Sequence, residues 1–416
     1  MSSAVAERHE PATRLDVDAA RERVLALCAA RRLGAETVDV ERALGRVLAE
    51  DVVAPHDLPP FANSAMDGFA LRGDDLPTAG ERRFRIVGRM LAGADAPLAF
   101  DAGECVRITT GAPLPPPADT VVVKERVRVD GDVAIVGAGA SRGANVRPSG
   151  EDYRAGDVAV RAGERLTPAR LGVLASCGCT RVPVAERPRV GLFVTGDELV
   201  APDRVPGYGQ IRDSNRYSLG GLLRELGIEP APIAHLRDDP AELRAALGRA
   251  AEECDLVLSS GGVSAGEADF LPGLVAELGR VDFWKVRMKP GMPVLCGEIG
   301  RALVFALPGN PVSTIATFLA FVRPALLALQ GARECVPPPR WARVAARVTK
   351  SHGRTEFLRA RLESRADGTL WATPSPKQGS GMLRGVAETD ALIVVPHDVA
   401  ELAPGSAVEW LPVAAG

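Results

Sequence analysis

The feature that most constrains the fold is a run of alternating strands and helices in residues 188–331. Val190–Thr195 is an apolar segment of strand length, and Leu256–Ser259 is another. Between them, Asp239-Pro240 opens a helix with a capping carboxylate and a proline in its first turn. The other predicted elements are helices from Ser214 to Leu226, between Asp269 and Leu278 and from Pro311 onward, a short strand before Asp238, and hairpin strands 293–297 and 302–307. Strands that alternate with helices predict a parallel sheet with helices on both faces, which is a three-layer α/β/α domain.

Strand signals dominate on both sides of this region. Residues 55–148 contain short β-type runs separated by glycine and proline, which predicts a small β-rich domain. Residues 338–416 also read as strands, and Asp367-Gly368 is a strong hairpin signal, so a C-terminal β-barrel or sandwich fits. The fold class is therefore expected to be multidomain α/β plus β.

Residues 15–54 and 149–187 have mixed character, with a helix predicted over 15–33. The length of 416 residues suggests two to four domains at ~100–200 residues each.

The composition argues against several classes of protein. The formal charge of -3 gives no global basic field for nucleic acid or an anionic membrane. The first residues lack the apolar core of a signal peptide. The apolar stretch Pro311–Leu329 is interrupted by Arg323 and Pro324 and is short for a lipid span of ~20 residues, so we expect a buried helix.

The seven cysteines show no disulfide framework and fit reduced thiols in a cytoplasm. Cys177 and Cys179 are close in sequence, but a zinc site needs two more soft ligands at matching spacing, and none follows. Packing and surface positions are the simpler interpretation of these residues.

Acidic loop motifs follow the predicted strands of the α/β region. Strand ends at one edge of a sheet converge, so Glu198, Asp238 and Asp269 are expected to share one cleft. Clustered carboxylates repel one another unless a cation lies between them, and hard oxygen ligands favour Mg²⁺. Each motif taken singly is also explained as a turn or a helix cap. The motifs are Thr195-Gly196-Asp197-Glu198, Arg237-Asp238-Asp239, residues 259–269 and residues 307–313.

Two of these loops can also bind anions. Backbone amides of the Gly261-Gly262-Val263-Ser264 loop can cradle a phosphate. Asn310-Pro311 starts a long helix, whose N-terminus attracts anions even if it serves only as a capped core helix.

Lys285 and Lys289 are four residues apart, so they face one side of a helix or of a strand. The apolar residues between them favour an extended segment. Two cations on one face indicate an anion site or a solvated edge, and the solvated edge is the simpler reading of this pair alone.

Common nucleotide-binding signatures are missing from the sequence. There is no G-x-x-x-x-G-K-[ST] loop, and the GAGASRGAN run at 137–145 lacks Rossmann spacing. No nucleophile elbow or Ser-His-Asp order occurs either.

At the loops described above, the chain resembles the molybdopterin molybdenumtransferase family, known as MoeA and as the E domain of plant and animal counterparts. The resemblance spans almost the whole chain, and the order of its motifs is specific. The motifs are NSAMDGFA at 63–70, RITTGAPLP at 107–115, RPSGEDYRAGD at 147–157, TGDEL at 195–199, IRDSN at 211–215, SSGGVSAGEAD at 259–269, KVRMKPGMP at 285–293, LPGNPVS at 307–313 and KQGSGML at 377–383.

The resemblance implies four domains. Residues 15–54 and 149–187 would form one irregular discontinuous domain, residues 55–148 a β-rich insertion, residues 188–331 the α/β nucleotide-and-pterin domain, and residues 338–416 a β-barrel. It also implies an elongated homodimer whose cleft combines the α/β domain of one subunit with the insertion of the other. Asp67 would then act across the interface.

The implied reaction inserts molybdate into an adenylylated pterin dithiolene and releases AMP in a Mg²⁺-dependent step. Because the substrate's own sulfurs would bind the metal, the chain needs no cysteine cluster. By resemblance, the acidic set is Asp67, Glu198, Asp238 and Asp269, of which Asp67, Glu198 and Asp269 would hold Mg²⁺. Substrate contacts would come from Thr110, Asp152, Gly261, Gly262, Ser264, Pro308 and Pro311. Molybdate would be held by Lys285, Lys289, Arg359 and Ser380.

Some alternatives stay open at this point. Arg354 competes with Arg359 as an anion ligand, and Met292 stands where family members often have a third lysine of the run. The sister adenylyltransferase, a possible partner in the pathway, is the nearest alternative function, but it usually has one small domain and a Gly-Gly-Thr-Gly loop. A non-enzymatic scaffold is the second alternative, and it would need a fused domain that this sequence lacks.

Overall fold

The structure, a computed structural model, describes residues 14–264 and 269–413. It begins with helix α1 (Val17–Ala29), inside the predicted range of 15–33. The buried residues of α1 form one apolar stripe at helical spacing: Val17, Ala20, Val24 and Cys28. Short strands follow: β1 (Ala35–Asp39), β2 (Val52–Val53) and β3 (Asn63–Ser64).

The β-rich region expected within 55–148 contains a six-stranded mixed sheet. Its strands are β4 (Gly68–Leu71), β5 (Glu81–Met90), β6 (Glu104–Ile108), β7 (Thr120–Val123), β8 (Val127–Asp130) and β9 (Val133–Gly137). They are ordered β7-β4-β6-β5-β9-β8, with β5 and β6 parallel and the other neighbours antiparallel. Apolar clusters cover both faces, one around Phe84 and the other around Met90.

The chain then returns to pair with the strands that precede the sheet. The returning elements are β10 (Val146–Arg147), β11 (Val158–Val160), helix α2 (Pro168–Ser176) and β12 (Arg181–Ala185). β12 pairs with β1, β11 with β2 and β10 with β3, all antiparallel. This pairing is what a discontinuous unit requires, and the exact bounds of the four predicted domains stay a prediction.

Residues 190–329 form the α/β part. Its elements are β13 (Val190–Thr195), β14 (Leu199–Val200), β15 (Ile211–Arg212), α3 (Asn215–Glu225), β16 (Ile233–Leu236), α4 (Pro240–Glu253), β17 (Leu256–Ser260), α5 (Leu271–Leu278), β18 (Arg280–Trp284), β19 (Met288–Lys289), β20 (Leu295–Ile299), β21 (Ala302–Leu307) and α6 (Pro311–Leu329). The Asp239 carboxylate caps α4 by accepting hydrogen bonds from the N–H groups of Ala241 and Glu242 at 2.8 Å each. The predicted helix start is therefore confirmed.

The central sheet has the order β16-β13-β17-β21-β20-β18. The first four strands are parallel, but β20 and β18 are antiparallel to their neighbours. The general prediction of a parallel sheet is therefore wrong at one edge, whereas the hairpin predicted for strands 293–297 and 302–307 is confirmed by the antiparallel pairing of β20 with β21. A turn at Gly300-Arg301 joins β20 to β21, and so short a connection only allows antiparallel pairing.

Helices cover both faces of this sheet. One face packs against α1, α3 and α6, and the other packs against α4 and α5. Although the sequence grouped residues 15–33 with the discontinuous unit, the apolar stripe of α1 joins the α/β core beside α6.

Helix α6 is long and apolar enough to cross a membrane by length and composition, but 89% of it is buried inside the protein. It is α-helical at both ends and π-helical over Phe318–Val322. Burial on the sheet explains its composition, and it is the core helix that the sequence predicted.

The C-terminal region closes into a five-stranded barrel in the order β22-β25-β24-β26-β28, with β28 returning to β22. Its elements are β22 (Arg340–Val344), β23 (Val348–Thr349), β24 (Thr355–Ser364), β25 (Leu370–Pro374), α7 (Arg384–Ala387), β26 (Ala391–Val395), β27 (Glu401–Leu402) and β28 (Ala407–Pro412). The predicted barrel is confirmed. Strand β19 of the α/β part adds to this sheet by pairing in parallel with β24.

Candidate functional site

A cavity of about 910 Å³ lies at the carboxyl ends of β13, β16, β17 and β21. We call it the acidic cavity. It has the position expected for a ligand of a parallel sheet. Eight of the residues predicted from the sequence line it: Glu198, Asp238, Gly261, Gly262, Ser264, Asp269, Pro308 and Pro311.

The Gly261-Gly262 loop passes close to the end of β13. Both glycines have positive φ angles, 101° and 66°. A Cβ at Gly261 would lie 2.5 Å from the carbonyl oxygen of Thr195, so only glycine fits there. The Nε1–H of Trp284 donates to the carbonyl of Val263 at 2.9 Å, and this buried hydrogen bond holds the loop in place. The N–H of Gly261 donates to the carbonyl of Leu307 at 3.0 Å, so the loop is held in place by contacts to β13, β21 and Trp284.

The carboxylates of the acidic cavity act on one another. Burial raises the pKa of Asp238, and the negative charges of Asp197, Glu198 and Asp269 raise it further, while the N–H of Asp197 acts in the opposite direction. Among residues 14–264 and 269–413, no group of three or more His, Cys, Asp or Glu side chains is close enough to enclose a metal ion. The cavity thus has a concentration of negative charge but not a complete protein cage for a cation.

A second cavity, of about 350 Å³, adjoins the first, and Pro293 and Asn310 line both. We call it the basic cavity, because Lys289 and Arg354 line it together with Ser380. The start of α6 borders it through Asn310 and Ser313. A helix N-terminus and two cationic side chains are donors suited to an oxyanion.

Lys289 is paired within the basic cavity. Its ammonium lies 2.8 Å from Oε1 of Glu356, whose side chain is only 7% exposed. His352 lies 3.6 Å from the other oxygen of the same carboxylate. The charge of Lys289 is thus largely compensated in the ligand-free protein.

Lys285 is placed differently from Lys289. Its φ angle of 66° ends the extended segment, so the two lysines do not share a strand face as predicted. The Lys285 ammonium stacks over the Trp284 ring, 4.3 Å from the centroid. Among the described residues, the linings of the two cavities do not include Lys285.

Arg359 is not placed as an anion ligand. Its side chain is 0% exposed, and burial lowers its pKa. Its guanidinium donates to the carbonyls of Gly379 at 3.1 Å, Met382 at 3.2 Å and Lys377 at 2.6 Å. Arg359 therefore braces the loop that carries Ser380, whereas Arg354 lines the basic cavity, so the structure favours the alternative that the sequence left open.

The Arg354 guanidinium lies against Met292, with Nη1 4.0 Å from the thioether sulfur. Arg14 approaches the same sulfur at 3.6 Å. Two guanidinium groups thus surround the position where the resemblance leads one to expect a lysine.

Asp67 lies on the β-rich sheet and is 46% exposed. Its carboxylate accepts hydrogen bonds from the Thr110 N–H at 2.9 Å and the Thr110 hydroxyl at 3.0 Å, and Lys124 pairs with it at 3.3 Å. The N–H of Thr110 lowers the pKa of Asp67 most, followed by the Thr110 hydroxyl and Lys124. Asp67 is therefore held ionised and oriented, and the structure brings together Asp67 and Thr110, which the sequence named separately as site residues.

Asp152 is exposed in a turn, where its N–H donates to the carbonyl of Leu58 at 2.9 Å. Among the described residues, the linings of the two cavities do not include Asp67, Thr110 or Asp152. The predicted site residues of one chain thus fall into two groups, one at the paired cavities and one on the β-rich region and its neighbouring turn.

Sequence reasoning overlooked two residues of these groups. Lys124 forms an ion pair with Asp67, but it directly follows strand β7 and belongs to none of the sequence motifs described above. Asn215 lines the acidic cavity, and the IRDSN run could have pointed to it, since an asparagine at a helix start beside a strand end is placed to bond loops.

Comparisons with known proteins cover nearly the whole chain. Three family models match it in order: the MoeA N-terminal region (domain I and II) at 15–178, a "Probable molybdopterin binding domain" at 191–328, and the MoeA C-terminal region (domain IV) at 341–413. The molybdopterin molybdenumtransferase of Haemophilus influenzae is 35% identical over 91% of this chain and 93% of its own. The enzyme of that name from Synechococcus elongatus is 38% identical over 95% of this chain and 98% of its own.

A solved structure has the same fold. The crystal structure of the molybdopterin biosynthesis moeA protein from Pyrococcus horikoshii OT3 superposes with a TM-score of 0.81 at 29% identity. It covers 96% of this chain and 99% of that one, so all the regions described above have counterparts in a single known architecture.

Proposed function

Because the chain belongs to the molybdopterin molybdenumtransferase family, we propose that it inserts molybdate into adenylylated molybdopterin and releases AMP in molybdenum cofactor biosynthesis. The observation that carries this proposal is the adjacency of the two cavities. A carboxylate-rich cavity with a Gly-Gly loop opens into a smaller cavity with cationic donors, and Pro293 and Asn310 line both. A substrate with an adenylyl phosphate at one end could present its dithiolene to an oxyanion at the other.

In this proposal the acidic cavity binds the adenylylated end. The N–H groups that follow Gly261 in this loop would hold phosphate oxygens, since the N–H of Gly261 already donates to the carbonyl of Leu307 at 3.0 Å. Pro308 and Pro311 shape the opposite wall, and Ser264 and Asp238 border the same space. Acidic side chains beside an anhydride would orient the water that replaces the leaving AMP, and the rigid loops would keep it in line.

The residues fit a bound Mg²⁺ that is shared with substrate. Carboxylates that repel one another at Asp238 indicate a place where a cation is favoured. Mg²⁺ commonly takes one or two carboxylates plus phosphate oxygens, which suits an incomplete protein cage. Glu198 and Asp269 would hold it together with Asp67, and when bound it would neutralise the charge on the anhydride oxygens.

The basic cavity would hold molybdate before transfer. We propose Lys289, Arg354 and Ser380 as its ligands, with Arg359 bracing the Ser380 loop and Lys285 supporting the Gly-Gly loop. A dianion entering this cavity would compete with Glu356 for Lys289, and it would find donors at Arg354 and at the start of α6.

We also propose that the working unit is a homodimer. Asp67 and Thr110 form a preorganised group on an exposed surface, and Phe61 and Met66 nearby are 47% and 45% exposed. A second copy that covers this surface would bring Asp67 to the acidic cavity of its partner. Asp152 is exposed in the turn whose backbone bonds Leu58, and it would act with Asp67 on substrate.

The dimer has a direct test by complementation. Asp67→Asn and Asp269→Asn chains should each be inactive, whereas a mixture that exchanges subunits should regain about a quarter of wild-type activity, because half the dimers are mixed and each has one intact site. Failure to regain activity despite subunit exchange, shown by mass spectrometry, would place Asp67 outside the partner's site.

A molybdopterin adenylyltransferase is the proposed partner that supplies the substrate, and the cytoplasm is the proposed compartment. The function itself is tested by mixing the purified chain with adenylylated molybdopterin, molybdate and Mg²⁺. AMP and molybdenum-loaded pterin should form together, and chelation of Mg²⁺ should stop both. ATP consumption with free pterin instead would indicate the sister adenylyltransferase.

A further inference from the structure

Asn215 lies where two loops of the acidic cavity approach each other. It is the first residue of α3, it lines the cavity, and it is only 9% exposed. Its Nδ2 donates to Ser260 Oγ at 2.9 Å and to the carbonyl of Gly309 at 2.7 Å. Ser260 ends β17 before the Gly-Gly loop, and Gly309 belongs to the Pro-Gly-Asn-Pro loop, so one side chain joins both loops.

The hydrogen bonds continue from this side chain into the first turn of α6. The Ser260 hydroxyl contacts the carbonyl of Pro308 at 3.3 Å. The Thr314 hydroxyl contacts the same carbonyl at 2.6 Å and that of Asn310 at 3.0 Å. Since these groups are buried, a broken link would leave a polar atom unpaired, so the loops are held in one relative position.

The start of α3 is itself fixed. The Asp213 carboxylate accepts a hydrogen bond from the N–H of Arg216 at 3.1 Å, and the Asp213 N–H donates to the carbonyl of Val200 at 2.9 Å. Asp213 is buried and borders the cavity. The IRDSN run, residues 211–215, therefore forms a hydrogen-bonded turn at the start of α3. This turn orients the Asn215 amide toward the two loops.

We propose that Asn215 is a positioning residue that sets the distance between the phosphate-binding loop and the helix start bordering the basic cavity. The inference rests on the proposed function and deepens it, because it names the side chain that aligns the binding sites of the two ligands. Asparagine suits this role because one nitrogen carries two donors, whereas the oxygens of an ionised carboxylate offer none.

Two other side chains make their shortest hydrogen bonds to one loop each and serve as comparators, although the Thr314 hydroxyl also lies 3.4 Å from that of Ser260. Trp284 bonds the Gly-Gly loop through Val263, and Trp284→Phe removes that donor while keeping a smaller aromatic ring. The shortest hydrogen bonds of Thr314 are to its own loop, and Thr314→Val removes them at nearly constant volume. Trp284→Phe should weaken AMP binding, Thr314→Val should weaken molybdate binding, and only Asn215→Ala should weaken both.

The experiment uses the full-length chain with AMP and molybdate as separate calorimetric probes. Asn215→Ala should lower each affinity about tenfold, which corresponds to about 1.4 kcal/mol. Amide hydrogen exchange of residues 259–264 and 308–314 should become faster in the ligand-free variant. Tyr217→Phe, on the same helix and 56% exposed, is the control and should change neither measurement.

The outcomes separate this inference from the function on which it rests. If wild type binds AMP and molybdate and Asn215→Ala does so equally well, Asn215 has no positioning role. If wild type binds neither, the proposed function is wrong, and the exchange rates still decide whether Asn215 joins the loops. Should Asn215→Ala not fold, Asn215→Ser, which keeps a single donor, must weaken both ligands in the same direction or the inference is overturned.

Discussion

The acidic and basic cavities are neighbours, but they are built in different ways. Most of the acidic cavity comes from loops that follow parallel strands of one sheet, with Gly261 and Asp238 near strand ends, and Gly381 and Leu383 of the barrel region complete its lining. The basic cavity is assembled from two regions, with Lys289 from the α/β part and Arg354 and Ser380 from the barrel region. The first therefore depends on local sequence motifs, and the second depends on how two regions pack.

Their electrostatics differ as well. Burial raises the pKa of Asp238 in the acidic cavity, and the neighbouring carboxylates raise it further, so its negative charge is incompletely compensated. In the basic cavity Glu356 already neutralises Lys289. The comparison teaches that negative charge is left uncompensated in the acidic cavity, whereas the positive charge of Lys289 in the basic cavity already has an internal partner.

The largest expected effect is at the acidic cavity. Asp269→Asn should preserve folding and lower AMP release from adenylylated molybdopterin by at least about 1,000-fold, because a charged ligand for Mg²⁺ and water is lost. Steady-state release of AMP, measured by chromatography, is the readout. Asp203→Asn, at an exposed position, is the control. Wild-type turnover in Asp269→Asn would remove the acidic cavity from the chemistry.

Alanine variants of Arg354 and Arg359 should distinguish a ligand of the basic cavity from a residue that supports its loop. Arg354→Ala should raise the molybdate concentration needed for half-maximal insertion by about 30-fold with little change in thermal stability. Arg359→Ala should instead lower stability by about 3 kcal/mol, because a fully buried side chain that donates to three carbonyls of the 377–382 loop is lost. Thermal unfolding and molybdate titration of both variants decide between these roles. The reverse pattern would restore Arg359 as the anion ligand.

Lys289 should show a smaller effect than Arg354. Lys289→Ala removes a cation that Glu356 already pairs with, so the molybdate requirement should rise only about fivefold. The double variant Lys289→Ala/Glu356→Gln provides the comparison, since it removes both charges. An unchanged molybdate requirement in both variants would exclude an anion role for this lysine.

The smallest expected effect concerns the pH dependence of stability. A carboxyl whose pKa is raised by folding destabilises the folded state when it is ionised, and this penalty disappears as the pH falls through its folded pKa. Asp238→Asn should therefore raise the melting temperature by about 1–2 °C at pH 7 and by less as the pH is lowered toward 4. Melting curves across this range are the measurement. A lower melting temperature at pH 7 would contradict the repulsion inferred at Asp238.

The sequence predicts those parts of the site that depend on residues close together in the chain, such as strand bounds and helix caps. Val190–Thr195 has the bounds predicted for it, and the Asp239 cap follows from the Asp-Pro pair. The acidic loops meet because parallel strands end at the same edge, which follows from the strand-helix alternation alone.

The errors arise where long-range packing decides. The positive φ angle of Lys285 breaks an alternation that assumed one continuous strand. The difference between Arg354 and Arg359 depends on how the 377–382 loop packs over β24, because that loop encloses Arg359 and leaves Arg354, just before the strand, at the basic cavity, and no local pattern fixes this packing. For the same reason, the sequence does not determine which surface α1 packs against, since its apolar stripe fits any apolar surface.

The pairing of β19 with β24 has a consequence for dividing the chain into modules. Met288 and Lys289 lie opposite Thr355 and Glu356 in a shared ladder, so the backbone of the catalytic part is bonded to the barrel. A fragment truncated before residue 338 would expose that ladder and lose Arg354 and Ser380 together. The barrel region thus forms part of the lining of the basic cavity. Chimeras that exchange barrels between relatives should therefore exchange the 285–293 segment with them.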